Sequence, residues 1–267
     1  MNIGSKQIGG KVYVIAEFGV NHGNDLELAK EGIRKAAWAG ADAIKFQTYT
    51  ADELVCKGTP RWWDHESAEG MDQHQAYEVL GNFPKEWYPE LIKECEANNI
   101  EFLSTPFSIE AADYLNELGM KAFKVASSDM STLPYLAHIA KFGKPILLST
   151  GASTIDEIRE AIKTIQEAGN NQIVVLHCML CYPTKPQDAN LKSIEIFESL
   201  FFPHFVGISD HTIGPTSSII SAALGAKVIE KHFTIDKTLK TTADHWFAVD
   251  PPELKQMIQD IQIAKDI

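Results

Sequence analysis

The chain has 267 residues, of which 45% are hydrophobic and 22% charged, a composition typical of a globular protein with a sizeable core. Lysine and arginine number 24 against 36 aspartates and glutamates, so the formal net charge is −12. This charge argues against nucleic acid as the main partner, because a polyphosphate backbone is bound by an excess of cations. The sequence has no apolar run of about 18 residues that would predict a membrane span. The first ten residues lack the apolar stretch of a signal peptide, which predicts a cytoplasmic protein.

Eight short, largely β-branched apolar runs alternate along the chain with longer amphipathic segments. Runs that are apolar almost throughout are typical of parallel strands covered on both faces. The predicted strands are residues 12–19, 41–47, 101–107, 122–127, 145–150, 173–178, 205–211 and 228–233. The glycine-containing residues 1–10 predict a short hairpin or plug before the first strand.

Helical patterns fill the intervals between the strands. Residues 25–39 place apolar side chains at helical spacing and stop at Gly40, and residues 154–168 begin with Thr154 and Glu157 at the spacing of a capping box. Eight βα units in 267 residues predict an α/β fold, a closed (β/α)₈ TIM barrel formed as a single catalytic domain over residues 1–267. The alternative is an open doubly wound sheet, which is disfavoured because no G-x-G-x-x-G follows the first strand.

One connection is much longer than the others. Residues 48–84 follow the second predicted strand, and they are rich in charged and aromatic side chains around Trp62 and Trp63. Loops of this length inside a compact domain are usually functional lids or disordered, and Pro60 and Pro84 favour order here. The two tryptophans would either stack on a sugar or anchor the loop, and we favour anchoring.

Polar residues cluster where the predicted strands end, which is where a TIM barrel carries its active site. Because alternate residues of a strand share a face, four sets are predicted to point into the barrel mouth. These sets are Glu17 with Gly19 and Asn21, Lys45 with Gln47, Ser209 with His211, and Glu230 with His232. Further polar residues at strand ends are His22, Ser104, Thr105, Lys124, Ser127, Ser128, Ser149, Thr150, His177, Tyr182, Asp210 and Lys231.

These residue types predict two kinds of ligand. Lys45 and Lys124 could form a cradle for a phosphate group, together with the hydroxyls of Ser127 and Ser149 and the backbone N–H groups near Gly151. The imidazoles of His211 and His232 could share a divalent metal with open positions for water and substrate. Mn²⁺ is favoured over a closed zinc site because oxygen ligands are available and no thiolate is nearby, although Zn²⁺ or Fe²⁺ would also suit two imidazoles. Glu17 and Glu230 are the candidate general bases.

Cys178 and Cys181 form a C-x-x-C pair, which can be a redox site or half of a metal site. The pair ends an apolar run instead of opening a helix, and no second cysteine pair completes a zinc site. We therefore expect these cysteines to be structural.

The motifs at the strand ends resemble those of the sialic acid synthase family, also called N-acetylneuraminate synthases. The resemblance covers about residues 12–265, and its pieces occur in order along the chain. The matching segments are I-A-E-F-G-V-N-H (15–22), G-A-D-A-I-K-F-Q-T (40–48), F-L-S-T-P-F-S (102–108), F-K-V-A-S (123–127), G-K-P-I-L-L-S-T-G (143–151), L-H-C (176–178), Y-P-T (182–184), G-I-S-D-H-T (207–212) and I-E-K-H-F-T (229–234).

The resemblance implies a reaction and a role for each matching residue. The family condenses phosphoenolpyruvate with the open-chain aldehyde of an N-acyl amino sugar, giving a nonulosonic 2-keto acid and phosphate. It implies that Glu17 and Glu230 take part in proton transfer and water activation, and that His211 and His232 bind Mn²⁺. The positions implied to hold phosphoenolpyruvate are Lys45, Lys124, Ser127, Ser149, Gly151 and Ser209, and those implied to lie near the sugar are Gln47, Tyr182 and Asp244.

The sequence departs from the family pattern in three places. Family members usually continue into a C-terminal antifreeze-like domain whose arginine grips the sugar of the partner subunit, and this sequence ends at Ile267 without it. Leu180 stands where a polar asparagine is common, and Thr242 and Ala243 replace a Gly-Pro pair before Asp244. We expect a homodimer, with the missing domain supplied by a separate protein or its place taken by the 48–84 loop.

Two other functions stay open at this point. A metal-dependent barrel aldolase or isomerase acting on a sugar phosphate would use similar strand-end residues, and a non-catalytic ligand-binding relic would keep the pocket without turnover.

Overall fold

The computed structural model describes residues 1–63, 65–81 and 83–267, so Asp64 and Asn82 of the predicted long loop lie outside the described residues. A short antiparallel hairpin comes first, formed by β1 (Asn2–Ile3) and β2 (Lys6–Gln7), as predicted. Within the described ranges eight parallel strands follow: β3 (Tyr13–Gly19), β4 (Ala43–Thr48), β5 (Glu101–Pro106), β6 (Phe123–Val125), β7 (Ile146–Ser149), β8 (Ile173–Cys178), β9 (Phe205–Asp210) and β10 (Val228–His232).

Ten α-helices are interleaved with these strands in the described residues. They are α1 (Leu26–Ala39), α2 (Ala51–Leu54), α3 (Gln73–Leu80), α4 (Tyr88–Ala97), α5 (Ile109–Glu117), α6 (Leu133–Ala140), α7 (Ile155–Glu167), α8 (Ser193–Phe201), α9 (Thr216–Ala223) and α10 (Pro251–Lys265). Single turns of 3₁₀ helix occur at Glu66–Ala68, Lys85–Trp87, Ser127–Asp129 and Pro186–Asp188. In the part of the chain that the structure describes, no helix has both the length and the apolarity needed to cross a membrane.

The parallel strands form a nearly closed TIM barrel in the order β5-β4-β3-β10-β9-β8-β7-β6. The two end strands, β5 and β6, lie side by side without a hydrogen-bonded ladder between their described residues. Each strand is buried over nearly all its length, as expected for a barrel covered by helices. The predicted barrel is therefore confirmed, and the open doubly wound sheet is not the fold.

Strand register brings the polar strand ends together. Glu17 on β3 lies opposite Lys45 on β4 and opposite His232 on β10, while Glu230 lies opposite Ser209 on β9. The register between β3 and β4 shifts after Glu17, and β3 ends at Gly19 with a positive φ of 53°. The chain therefore turns away from the barrel immediately after the first acidic residue.

Local signals determine most of the helix ends. The Asp25 carboxylate accepts hydrogen bonds from the first-turn N–H groups of α1, and Thr154 forms the predicted capping box with Glu157. The predicted strand 122–127 is shorter than expected, because Ser127 already begins a 3₁₀ turn.

Candidate active site

A cavity of about 480 Å³ opens at the carboxyl ends of the barrel strands. It is lined by nearly all of the residues that the sequence predicted for the site: Glu17, Lys45, Gln47, Lys124, Ser127, Ser149, Tyr182, Ser209, His211, Glu230, His232 and Asp244. Gly151 does not line the wall, but its backbone N–H donates to Ser127 Oγ at 2.9 Å.

Two lysines and two glutamates form one buried network at the base of the cavity. Lys45 Nζ lies 2.5 Å from Glu17 Oε2 and 3.8 Å from Glu230 Oε2, and Lys124 Nζ lies 3.8 Å from Glu230 Oε1. Ser209 donates to Glu230 Oε1 at 2.9 Å. All four charged side chains are buried, so each charge depends on the others for compensation.

The two carboxyl groups have different environments. Burial raises the pKa of Glu17, and the nearby Glu230 carboxylate adds to this effect against the lowering effect of Lys45. Burial alone would also raise the pKa of Glu230, but Lys124, Lys45 and the Ser209 hydrogen bond outweigh it and hold that pKa below its ordinary value. Of these two neighbouring carboxyl groups, Glu17 therefore binds a proton more readily than Glu230 does.

The lysines also differ. Burial would lower the pKa of Lys45, but the carboxylates of Glu17 and Glu230 outweigh it and the pKa is raised. Burial lowers the pKa of Lys124, and the neighbouring Lys45 ammonium acts in the same direction. Lys45 is thus more firmly paired with protein carboxylates than Lys124 is.

One side of the cavity has the character of an anion pocket. The Ser149 hydroxyl is buried, and no described residue forms a hydrogen bond with it. A Cβ at Gly151 would lie 2.9 Å from Ser127 Oγ and 2.8 Å from Leu180 Cγ, so any larger residue would have to displace one of these side chains. Leu180, predicted to stand in place of a polar residue, contributes an apolar wall here.

The two histidines lie side by side in the cavity wall, with ring centroids 5.3 Å apart. His211 Nδ1 lies 2.7 Å from the Met179 carbonyl oxygen, so Nδ1 carries the proton and Nε2 keeps a free lone pair. Burial lowers the pKa of His211 to about 3, and the neighbouring His232 contributes to this shift. Burial would also lower the pKa of His232, but Asp244, with its carboxylate oxygen 3.4 Å from Nδ1, raises it.

Aromatic side chains surround the mouth of the cavity. Tyr182 packs on the His211 ring at a centroid distance of 4.0 Å, and Trp62 of the long loop lies 5.7 Å from the Tyr182 ring. Trp63 stacks on Tyr77 at 5.6 Å. Both tryptophans line the cavity, so the loop reaches over the site. The contact of Trp63 is with Tyr77 of the same loop, and anchoring stays a prediction. Trp62 stays 61% exposed beside the cavity.

Sequence reasoning missed Tyr77, Trp246 and Phe247 as lining residues, although Trp246 and Phe247 closely follow Asp244.

Several polar residues at strand ends do not line this cavity. Asn21 was predicted to point into the mouth, but it lies beyond the turn at Gly19 and bonds the Phe233 carbonyl and Thr242. The alternation of a strand no longer applies there, which is why the parity prediction fails for Asn21. His177 is likewise turned away, with Nε2 2.8 Å from the Ala189 carbonyl oxygen.

The two cysteines of the C-x-x-C pair lie in different environments. The structure describes Cys178 and Cys181 as free thiols, the first buried and the second exposed. Cys178 lines the cavity with its sulfur 4.0 Å from His211 Nδ1, and burial raises its pKa, which favours the unreactive thiol.

Comparison with known proteins gives a consistent result. Residues 32–267 match the model of the NeuB family. An N,N'-diacetyllegionaminic acid synthase of Campylobacter jejuni is 42% identical over 261 residues, covering 96% of this chain and 77% of that protein. A pseudaminic acid synthase of the same species is 35% identical over 268 residues, covering 99% of this chain and 77% of that protein.

The fold comparison agrees with the sequence comparison. The crystal structure of an N-acetylneuraminic acid (sialic acid) synthetase from Leptospira borgpetersenii, in complex with citrate, superposes with a TM-score of 0.90 at 31% identity. The match covers 100% of this chain and 88% of that chain. The resemblance inferred from the strand-end motifs is therefore confirmed.

Proposed function

The chain belongs to the NeuB family, and from that premise we propose that it condenses phosphoenolpyruvate with the open-chain aldehyde of an N-acyl amino sugar. The products are a nonulosonic-type 2-keto acid and inorganic phosphate. The observation that carries the proposal is the buried network of Lys45, Lys124, Glu17 and Glu230 beside the two imidazoles in one cavity. That network offers cations for an anionic substrate and two carboxyl groups that differ in how readily they bind a proton.

Phosphoenolpyruvate binds on the side of the lysines and serines in this proposal. Lys124 is the freer of the two ammonium groups, and the unpartnered Ser149 hydroxyl and the Ser127–Gly151 pair lie on the same side. Charge-assisted hydrogen bonds to a phosphate or carboxylate are about twice as strong as neutral ones. These groups would therefore hold the enol ester with its reactive carbon directed at the second substrate.

The two glutamates divide the proton transfers. C3 of phosphoenolpyruvate attacks the aldehyde carbon, and Glu17, the carboxyl group that binds a proton more readily, gives a proton to the oxygen that becomes a hydroxyl. Water then adds to C2, and the Glu230 carboxylate accepts the proton that water loses. The tetrahedral species releases phosphate by cleavage of the C–O bond, leaving the 2-keto acid. The directions of the two pKa values support this assignment.

A divalent metal, with Mn²⁺ favoured, fits the two histidines. His211 offers Nε2 because its Nδ1–H faces a backbone carbonyl, the usual arrangement for a metal-binding imidazole. His232 Nδ1 is buried 3.4 Å from an Asp244 carboxylate oxygen, a contact that lacks hydrogen-bond geometry, and His232 would lose its proton on binding a cation. The described chain has no cluster of three or more His, Cys, Asp or Glu suited to a metal, so water and substrate oxygens would complete the coordination. When bound, the metal would polarise the aldehyde carbonyl.

The sugar occupies the remaining part of the cavity. Gln47, whose amide donates to Glu17 Oε1 at 3.0 Å, stands at the boundary between the two substrates. Asp244 and Tyr182 line the opposite wall, and Trp62 covers the mouth from the long loop. An apolar, aromatic rim with a few polar groups suits an N-acyl sugar, which has both kinds of surface.

Incubation with phosphoenolpyruvate, Mn²⁺ and a panel of N-acyl hexosamines tests the proposed function. We expect phosphate release that requires both phosphoenolpyruvate and an aldehyde, with a product whose mass equals both substrates plus water minus phosphoric acid. Phosphate release without an aldehyde, or none with any sugar, would contradict the proposal. We also propose that the protein is cytoplasmic and forms a homodimer. Light scattering would detect the dimer at twice the 29.6 kDa of one chain.

A further inference from the structure

A buried lysine on the outer side of β10 connects the two strand ends that carry His211 and His232. Lys231 lies in the sequence between Glu230 and His232, both of which line the cavity, while Lys231 does not. Alternation along the strand accounts for this difference. Its side chain is 1% exposed, so its charge has no access to bulk water.

The ammonium group of Lys231 binds both residues that flank His211. Its Nζ donates to Asp210 Oδ2 at 2.9 Å and also to the Thr212 carbonyl oxygen. Asp210 Oδ1 in turn accepts hydrogen bonds from the Thr212 backbone N–H and hydroxyl, both at 2.8 Å. From α9, Ser218 donates to Asp210 Oδ2 at 2.7 Å. His211 is therefore enclosed by a loop whose two sides are attached to one cation on the neighbouring strand.

A buried ion pair contributes little net free energy to folding, because desolvation of the two charges offsets most of their attraction. Replacement of a buried ion pair by apolar residues of similar volume is often neutral or stabilising. What the pair provides is a fixed offset between the ends of β9 and β10, where Ser209 meets Glu230 and the two imidazoles lie 5.3 Å apart. Displacements of about 1 Å in an active site can cost about 10²-fold in rate.

We propose that Lys231 is a positioning residue that holds His211 at the correct distance and orientation relative to His232 for the two to share one divalent cation. This inference rests on the proposed function in one respect, the binding of a divalent metal by these imidazoles.

The variant Lys231→Met tests the proposal, because it keeps the length of the side chain and removes the charge. Mn²⁺ binding is measured without substrates by the loss of the free-ion signal in electron paramagnetic resonance, and kcat and KM are measured at saturating Mn²⁺. We expect Mn²⁺ to bind about 10- to 100-fold more weakly, as for other residues that orient metal ligands. We expect kcat to fall by about tenfold or more. The KM for phosphoenolpyruvate should change little, because Lys231 contacts neither Lys45 nor Lys124.

A matched control separates positioning from general destabilisation. Ile158→Ala on α7 removes a core side chain that does not line the cavity, and it should lower the melting temperature while leaving Mn²⁺ affinity and kcat unchanged. Ser218→Ala removes one donor to Asp210 and should produce a smaller loss of Mn²⁺ affinity in the same direction. If Lys231→Met does not fold, Ser218→Ala and Asp210→Asn carry the test.

The proposal is overturned if folded Lys231→Met binds Mn²⁺ as the wild type does, or if Ile158→Ala loses as much affinity at equal stability. Should Lys231→Met fail to fold, wild-type Mn²⁺ affinity in both Ser218→Ala and Asp210→Asn overturns it as well. Failure of the proposed function has a different signature. In that case the wild type releases no phosphate with any aldehyde, while the comparison of Mn²⁺ affinities between variants still gives a result.

Discussion

Replacement of Glu230 by glutamine should change kcat and the KM for phosphoenolpyruvate in different ways. The variant keeps the shape of the side chain and a group that can bond Ser209, but it removes the negative charge. Lys45 and Lys124 each lie 3.8 Å from a Glu230 oxygen. At an effective dielectric constant of about 20, each of these attractions is worth about 4 kcal/mol. Their loss leaves Lys45 paired with Glu17 and removes the carboxylate partner of Lys124.

The two kinetic constants should therefore respond in different ways. Loss of the proton acceptor should lower kcat by about 10²- to 10⁴-fold. The KM for phosphoenolpyruvate should stay the same or fall, because a more positive cavity favours an anionic substrate. Initial rates of phosphate release at saturating sugar give both constants. A kcat within threefold of the wild type, or an unchanged kcat with a raised KM, would refute the assignment of Glu230 as the base.

The same variant has an effect on stability whose sign follows from the pKa. The folded state holds the pKa of Glu230 below its ordinary value, so its charged form stabilises the fold at neutral pH. That contribution is lost as the pH falls through the ordinary carboxyl range toward the folded pKa. Melting temperatures measured from pH 7 downward should fall less steeply for Glu230→Gln than for the wild type. Parallel curves would show that the charge contributes nothing.

Three further substitutions test the remaining parts of the site. Lys124→Met should raise the KM for phosphoenolpyruvate about 10- to 100-fold with little change for the sugar, from the loss of one charge-assisted hydrogen bond; equal effects on both substrates would contradict this. His232→Ala should abolish metal-dependent turnover and weaken Mn²⁺ binding while circular dichroism stays unchanged, and wild-type metal dependence would remove this histidine from the metal site. Trp62→Ala should raise the KM for the sugar severalfold but leave the melting temperature nearly unchanged, because the side chain is 61% exposed. An unchanged KM would show that Trp62 does not contact the sugar.

The fold was predictable from sequence because its signals are local. The apolar run at residues 173–178 is short and rich in β-branched residues, which predicts a buried strand, and β8 has those bounds. Thr154 and Glu157 signal the start of α7 within four residues of chain. The helix α3 was missed inside the long loop even though Asp72 and Gln75 form a capping box, because its composition is too polar to show a clear apolar stripe.

The site was predictable only in part, for a related reason. Strand parity brings Glu17, Lys45 and Glu230 to one cavity, since a strand fixes side-chain direction from residue to residue. This alternation of side-chain direction stops where the strand stops, and for that reason the predicted position of Asn21 was wrong. The bond from His211 to the Met179 carbonyl and the attachment of Asp210 to Lys231 depend on how separate strands are offset, and no local pattern encodes that offset.

The fate of oxygen in the reaction tests the central claim most directly. The reaction is run in H₂¹⁸O with phosphoenolpyruvate, Mn²⁺ and an accepted N-acyl hexosamine, and the released phosphate is analysed by mass spectrometry. Addition of water at C2 and cleavage of the C–O bond predict phosphate with no ¹⁸O, formed in equal amount to the 2-keto acid. Phosphate that carries ¹⁸O from the solvent would mean attack at phosphorus, and the proposed carbon–carbon bond formation at this cavity would be contradicted.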